Sequence, residues 1–420
     1  MRDEIQQYLK SQVVERFLRY VQIDTRSDVE SNTKPSTEGQ WDLLRLLETE
    51  CRELGLRDVV MGGEGFVYAT LPARDPDAEC PAFGLVAHVD TSSEQPGDKV
   101  RPVRHEEWSG EPIRFADDPN LALSVDDCAE LGEFVGDTII TASGRTLLGA
   151  DDKAGVAEIM AAFATLIEFP ELAHGKIVAC FTTDEEIGRG TQGIDLSRLP
   201  TCCYTMDGSF PGELEDECFD AWSADLVFEG VGVHPGFAKG KMVNAATCCA
   251  RYLAELPISE TPENTDGRDG FYYVHSLEGG CERTRVGLIV RDFEESRNRE
   301  RLAKLTSLKE EYEQRFSGLK IHLETAQQYQ NMREVLAQHP EVTALAEKAI
   351  TDAGLEVRRR SIRGGTDGSL LCQLGHPTPN IFAGGMLFHS RREWVAESAL
   401  AKATETILHL ARRWSELPAQ

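Results

Sequence analysis

Phe83-Gly84-Leu85-Val86-Ala87-His88-Val89-Asp90 is an apolar run of strand length that ends in an imidazole and a carboxylate. The same design recurs along the chain. Leu147-Leu148-Gly149-Ala150 leads into Asp151 and Asp152, Ile177-Val178-Ala179-Cys180-Phe181 precedes Glu185 and Glu186, and Tyr204-Thr205-Met206 ends at Asp207. Between these runs Val156, Ile159, Met160, Phe163 and Ile167 repeat at helical spacing. Strand, helix, strand in that rhythm predicts an α/β fold: a mostly parallel twisted sheet with helices on both faces. Strand ends on one edge of such a sheet are where these folds place their sites.

Outward from this centre, Val14, Phe17, Leu18 and Val21 predict a short N-terminal helix, and residues 39–54 a second. Residues 66–71 and 138–141 read as further strands. Residues 92–133 are polar and rich in Asp, Glu and Pro, so they read as one long loop. Character changes near Gly212. Alternation over 221–228, a helix over 242–256 and a strand over 285–291 predict a smaller α+β unit. A charged helix follows, burying Leu302, Leu305, Leu308, Tyr312 and Phe316. The tail carries Arg363-Gly364-Gly365-Thr366-Asp367-Gly368, a strand over 380–383, His389, and a helix with Leu400, Ala403, Ile407, Ala411 and Trp414 on one stripe. We therefore expect a discontinuous catalytic domain, residues 1–214 and 327–420, interrupted by an inserted α+β lid of residues 215–326.

A net charge of −27 argues against nucleic acid or an anionic membrane as partner. No apolar stretch reaches about 18 residues, which argues against a membrane span. Met1-Arg2-Asp3-Glu4-Ile5-Gln6-Gln7 is too polar for a secretory signal, so a cytoplasmic protein is expected. The eleven cysteines are an odd number and include no Cys-x-x-Cys, which favours free thiols over disulfides or thiolate metal sites.

The chemistry lies in imidazole and carboxylate. Strand side chains alternate with period two, so His88 and Asp90 share a face, where the acid can orient the imidazole. A lone His-x-Asp is also an ordinary hydrogen-bonding pair. Asp151 and Asp152 stand at a strand-to-helix junction, where Asp is a common cap. Asp152 is well placed to cap, while Asp151 can turn into a cleft and bridge two cations. Of Glu185 and Glu186, one can ligate metal while the other, raised in pKa by burial and like charge, serves as general base. Asp207 would otherwise be a turn residue and His389 a surface histidine. Together these residues point to a metal-dependent hydrolase without thiolate ligands.

Longer motifs carry a resemblance. They are Pro35-Ser36-Thr37-Glu38-Gly39-Gln40-Trp41, His88-Val89-Asp90-Thr91-Ser92, Thr146 through Gly155, and Asp184-Glu185-Glu186. Val233-His234-Pro235-Gly236, Val243-Asn244-Ala245, Val290-Arg291-Asp292-Phe293, Tyr329-Gln330-Asn331-Met332-Arg333-Glu334 and Ile362 through Gly368 continue the match in order. The chain resembles the peptidase T (tripeptide aminopeptidase) family, within the larger zinc-peptidase-like dizinc family that includes acetylornithine deacetylase and carboxypeptidases. The resemblance implies an aminopeptidase that releases the N-terminal residue from tripeptides. Its nucleophile would be a water bridged by two Zn2+ ions, for which Co2+ or Mn2+ can substitute. His88, Asp151 and Asp207 would hold one ion, and Asp151, Glu186 and His389 the other. Asp90 would orient His88, and Glu185 would be the general base. The resemblance also implies a strained, cis-capable peptide between Asp151 and Asp152. His234, Asn244, Arg291 and Arg363 would contact substrate, with Arg363 and the adjacent glycines suited to a terminal carboxylate. Relatives also suggest a homodimer through the inserted domain. Two contexts depart from the family pattern: Gly385-Met386-Leu387-Phe388-His389-Ser390 and Gly208-Ser209-Phe210-Pro211. Neither removes a ligand; both bear on substrate preference near Phe210 and Leu387.

Overall fold

The computed structural model describes residues 2–75 and 79–418. The chain forms two compact units. One comprises Met1–Asp216, Glu334–Arg360 and Thr366–Gln420, the other Glu217–Arg333 and Ser361–Gly365.

The first unit is built on an eight-stranded sheet. Its order is Arg57–Met61, Val67–Leu71, Ile177–Thr182, Phe83–His88, Cys203–Gly208, Asn380–Phe382, Glu213–Cys218 and Arg358–Ile362. The four middle strands, Ile177–Thr182 through Asn380–Phe382, pair parallel. The pairings that flank them are antiparallel. The sheet is therefore mixed, which corrects the expected mostly parallel arrangement. Hydrophobic patterning reports burial and not strand direction; direction follows from the connections. Arg57–Met61 and Val67–Leu71 are joined by only five residues, enough for a hairpin and too few for a parallel crossover.

Alternation along the middle strands divides the core. Leu85, Ala87, Ala179, Phe181, Tyr204 and Met206 face one apolar cluster, while Val86, Val178, Cys180 and Cys203 face another. Helices Asp3–Tyr20, Ala150–Glu168 and Glu397–Ser415 supply the larger cluster, and Leu371 of helix Asp367–Gln373 joins the smaller. Helices thus cover both faces. Helix Ala150–Glu168 is buried almost throughout, although Ile167, expected on its core face, is exposed. Among the described residues, no helix is long and apolar enough to cross a membrane.

Residues 92–133 are not a single loop. They contain strands Val103–His105, Ile113–Phe115 and Asp118–Leu123 and a short helix, Ala129–Phe134. Val103–His105 pairs with Ile139–Thr141 in a small antiparallel sheet that also includes Trp394–Ala396 and Gly385–Met386. These strands bury few side chains each (Ile113, Phe115, Leu121 and Leu123 among them), so polar neighbours masked the alternation.

The second unit is a four-stranded antiparallel sheet in the order Phe271–Gly279, Arg283–Asp292, Asp220–Glu229 and Lys320–Tyr329. Helices Ala245–Leu253 and Glu295–Arg315 pack Tyr252, Leu305, Leu308 and Tyr312 against Leu226, Phe228, Leu288 and Val290.

Gly155 sets how closely helix Ala150–Glu168 approaches the Cys203–Gly208 strand. A Cβ there would stand 2.1 Å from the Met206 carbonyl oxygen and 2.5 Å from Asp152 Oδ1. The first obstacle is backbone and cannot swing aside. Gly155→Ala should therefore cost about 1–3 kcal/mol of stability despite alanine's better helix propensity. Chemical denaturation checks this, and an unchanged or raised midpoint contradicts the close approach.

Candidate metal centre

His88 is the last residue of its strand. Its ring Nδ1 lies 3.1 Å from the carbonyl oxygen of Asp90 and 3.4 Å from Asp90 Oδ1. The Asp90 carboxylate also accepts the backbone N–H groups of Glu185 at 3.1 Å and Glu186 at 3.2 Å. One acid therefore touches the imidazole and holds the neighbouring turn. That turn, Glu185–Ile187, follows the Ile177–Thr182 strand through Asp184, whose φ is +61°. The Asp184 carboxylate accepts Ser36 N–H at 2.9 Å and Gln40 Nε2 at 2.7 Å, so the Pro35–Trp41 motif anchors the acidic turn.

Asp151 has non-helical dihedrals at the start of helix Ala150–Glu168, and its peptide bond to Asp152 is cis. His88 Nε2 lies 3.0 Å from Asp151 Oδ1, 3.6 Å from Asp207 Oδ1 and 4.0 Å from Glu185 Oε2. His389 Nε2 lies 3.3 Å from Asp151 Oδ2 and 2.9 Å from Glu186 Oε2. The two oxygens of Asp151 thus face different histidines, each with a further carboxylate of its own. His389 reaches the cluster from the loop after Gly385–Met386, with φ at +57°. Five candidate ligands and both candidate helpers, Asp90 and Glu185, come together.

Proximity alone also groups Asp152 with His88 and Asp207. The Asp152 oxygens, however, accept the N–H groups of Gly155 and His88, both at 3.2 Å. Asp152 is a cap, and Asp151 is the acid free to bind a cation.

The donor set fits divalent metal. It offers two imidazole nitrogens and several carboxylates without a thiolate. The site carboxylates pair with no Lys or Arg among the described residues, and Glu186 Oε1 is buried with no hydrogen-bond partner. Burial raises Glu185 well above the usual carboxylate range. Burial, then the charge of Asp151, pushes Glu186 up to about 8, and burial pushes Asp207 to about 6. Asp151 goes the other way: hydrogen bonds from His389 and His88 overcome burial and hold it below its ordinary value. His389 is pushed up to about 11 by its bonds to Asp151 and Glu186. His88 rises despite burial, through Asp151, Asp207 and Asp90. The cluster gathers positive charge wherever it can; bound cations would replace protons in that role.

Three supporting residues gave no clear signal in the sequence. Glu393 is buried and accepts backbone N–H groups from Leu148, Gly149 and Asp151. Asn380 Oδ1 accepts the Asp207 N–H at 3.0 Å. Asp367 accepts the Thr182 hydroxyl, and its second oxygen is buried without a partner.

His234, Asn244, Arg291 and Arg363 all belong to the second unit. His234 Nδ1 accepts the Gly236 N–H, and Asn244 Oδ1 caps helix Ala245–Leu253 through Thr247 N–H. Arg363 donates to the carbonyls of Gly267 and Asp269 and to the Thr265 hydroxyl. Arg291 lies over the Tyr329 ring, 5.1 Å from its centroid, with no hydrogen bond or ion pair among the described residues. Burial pushes its guanidinium down to about 10. The Tyr329 hydroxyl is also buried without a partner.

Comparison with known proteins agrees with this chemistry. Residues 147–413 match the model of peptidase family M20/M25/M40. Peptidase T from Geobacillus thermodenitrificans is 43% identical over 409 residues, covering 97% of this chain and 99% of its own. The crystal structure of an aminopeptidase PepT from Bacillus cereus superposes with a TM-score of 0.75 at 22% identity, covering 97% of this chain and 99% of that one. A dinuclear metal binding peptidase of the M20 family from Bacillus subtilis gives 0.66 at 11% identity, covering 97% and 98%. These two likenesses show the shared fold. The chain is a peptide hydrolase of the metallopeptidase class. It belongs to peptidase family M20/M25/M40, and within it to the peptidase T family.

An Asp151 shared by two cations would make a distinctive prediction. Asp151→Ala should lose both cations, whereas Asp207→Ala should keep one at His389 and Glu186. Elemental analysis of folded protein checks this; equal loss in the two variants argues against sharing.

Proposed function

We propose that this chain is an aminopeptidase that removes the N-terminal residue of tripeptides at a dinuclear centre. The observation that carries the dinuclear reading is the Asp151 carboxylate, with one oxygen toward His88 and the other toward His389. His88, Asp151 and Asp207 would hold one cation, and Asp151, Glu186 and His389 the second. Zn2+ suits these donors, as do Co2+ and Mn2+. Two such cations would lower the pKa of a shared water and polarise the peptide carbonyl.

The protein's own groups do the rest. Glu185 is buried beside His88 and binds a proton readily, as a general base near neutral pH must. It takes the proton of the attacking water at its carboxylate and returns it to the leaving amine. Asp90 keeps that base in place by holding its backbone N–H. The tripeptide reading rests on the family and on residues of the second unit. There, Arg291 and the Tyr329 hydroxyl form an unpaired, partly desolvated donor pair suited to a carboxylate. Arg363 already spends donors on main-chain carbonyls, so Arg291 is the better candidate for the substrate's C-terminus, with Arg363 in support. The free ring nitrogen of His234 and the amide N–H2 of Asn244 remain available for the substrate backbone.

Two measurements test this reading. Glu185→Gln should lower turnover by about 10²–10⁴-fold while metal content stays at two per chain. Near-wild-type turnover removes Glu185 from the role of base. Arg291→Leu should weaken tripeptide use by about 1.5–3 kcal/mol in kcat/KM, leaving a C-terminally amidated tripeptide unaffected. A panel of tripeptides, dipeptides and N-acyl amino acids completes the test. Preference for acylated amino acids over free tripeptides would instead indicate a deacylase.

A further inference from the structure

We propose that Glu393 is a positioning residue of the metal centre, fixing Asp151 and through it both cation positions. Glu393 is 1% exposed and makes no ion pair among the described residues. Its carboxylate is satisfied by the main chain alone. Oε2 accepts the N–H of Leu148 at 2.7 Å and of Gly149 at 2.8 Å, and Oε1 accepts the N–H of Asp151 at 3.1 Å.

These donors belong to the turn that starts helix Ala150–Glu168, where backbone N–H groups lack helical partners. A local side chain usually supplies the cap. Here the acceptor comes from 242 residues further along the chain, at the end of the His389 loop. The Glu393 N–H bonds back to the Ser390 carbonyl at 3.2 Å, tying that loop together. Asp151 and His389 therefore stand on two segments joined by one carboxylate. A shift in the turn moves Asp151, and because its oxygens face both histidines, the displacement reaches both positions. Groups that orient metal ligands in this way usually contribute about 10- to 100-fold to affinity.

Glutamine cannot replace this strap. Its single carbonyl oxygen can serve one side only, so its N–H2 must face Asp151 N–H or the Leu148–Gly149 pair, donor against donor. Aspartate keeps both oxygens but is one methylene short of spanning all three donors.

The test uses Glu393→Gln and Glu393→Asp, each prepared metal-free and then titrated with Zn2+ and with Co2+. Both positions should weaken by about 10- to 100-fold in chelator competition, and the Co2+ visible spectrum should shift. Circular dichroism of the metal-free protein should stay near wild type, with the thermal midpoint lowered by the few degrees that an unpaired buried donor costs; a purely structural role would lower it without moving the affinity or the spectrum. Wild-type affinity and spectrum in both variants would overturn the proposal, as would weakening of only the His389 position. Failure of both variants to fold also overturns it, because the strap would then serve the fold. The inference rests on the dinuclear reading; wild-type protein that binds fewer than two cations defeats that reading first and separately.

Discussion

The carboxylate of Asp151, held between two histidines that come from opposite ends of the chain, is the constraint on which the rest of the first unit depends. His88 ends a central strand, while His389 arrives on a late loop. For one carboxylate to meet both, the start of helix Ala150–Glu168 must lie against the sheet edge. Gly155 permits that approach, and Asp152 caps the helix by bonding the Gly155 N–H and the His88 N–H together. The adjacent acids divide the work. One fastens helix to strand and the other faces the cleft.

This arrangement is expensive for the fold. Carboxylates are buried beside one another, and burial alone opposes their charge. Asp184, Leu387 and His389 also sit at positive φ, each a strain of about 1–3 kcal/mol. Such features persist only when surrounding bonds over-determine them. Asp184 is fastened to Ser36 and Gln40, and Asp90 holds the following two N–H groups. Bound cations would supply the missing charge, and folding and metal uptake would then favour each other.

How much of this was legible in the sequence depended on the range of the interaction. Candidate ligands such as His88 and Asp207 sit at the ends of apolar strands, and strand ends show in local patterning. Strand direction does not, which is why the flanking antiparallel pairs were missed although the parallel centre was expected. The strands within residues 92–133 bury too few side chains to stand out from polar neighbours. Glu393 was invisible for a different reason: its partners are backbone N–H groups far away in the chain, and main-chain donors leave no residue-type signature. The Asp152 ambiguity had the same origin, since cap and ligand require the same side chain.

The metal centre by itself says little about substrate. Imidazoles, carboxylates and a nearby glutamate suit the cleavage of many amides. Discrimination needs groups that recognise parts of the substrate remote from the scissile bond. A substrate that lacks the carboxylate leaves such a site's desolvated donor unpaired, a larger penalty than losing an apolar contact. Arg291 and the Tyr329 hydroxyl are donors of this type, without hydrogen-bond partners among the described residues. Arg363 already spends donors on the carbonyls of Thr265, Gly267 and Asp269, holding that loop in place. Two arginines that look equivalent in sequence therefore differ in what they have left to give, and a terminal carboxylate would find free donors on Arg291 rather than on Arg363.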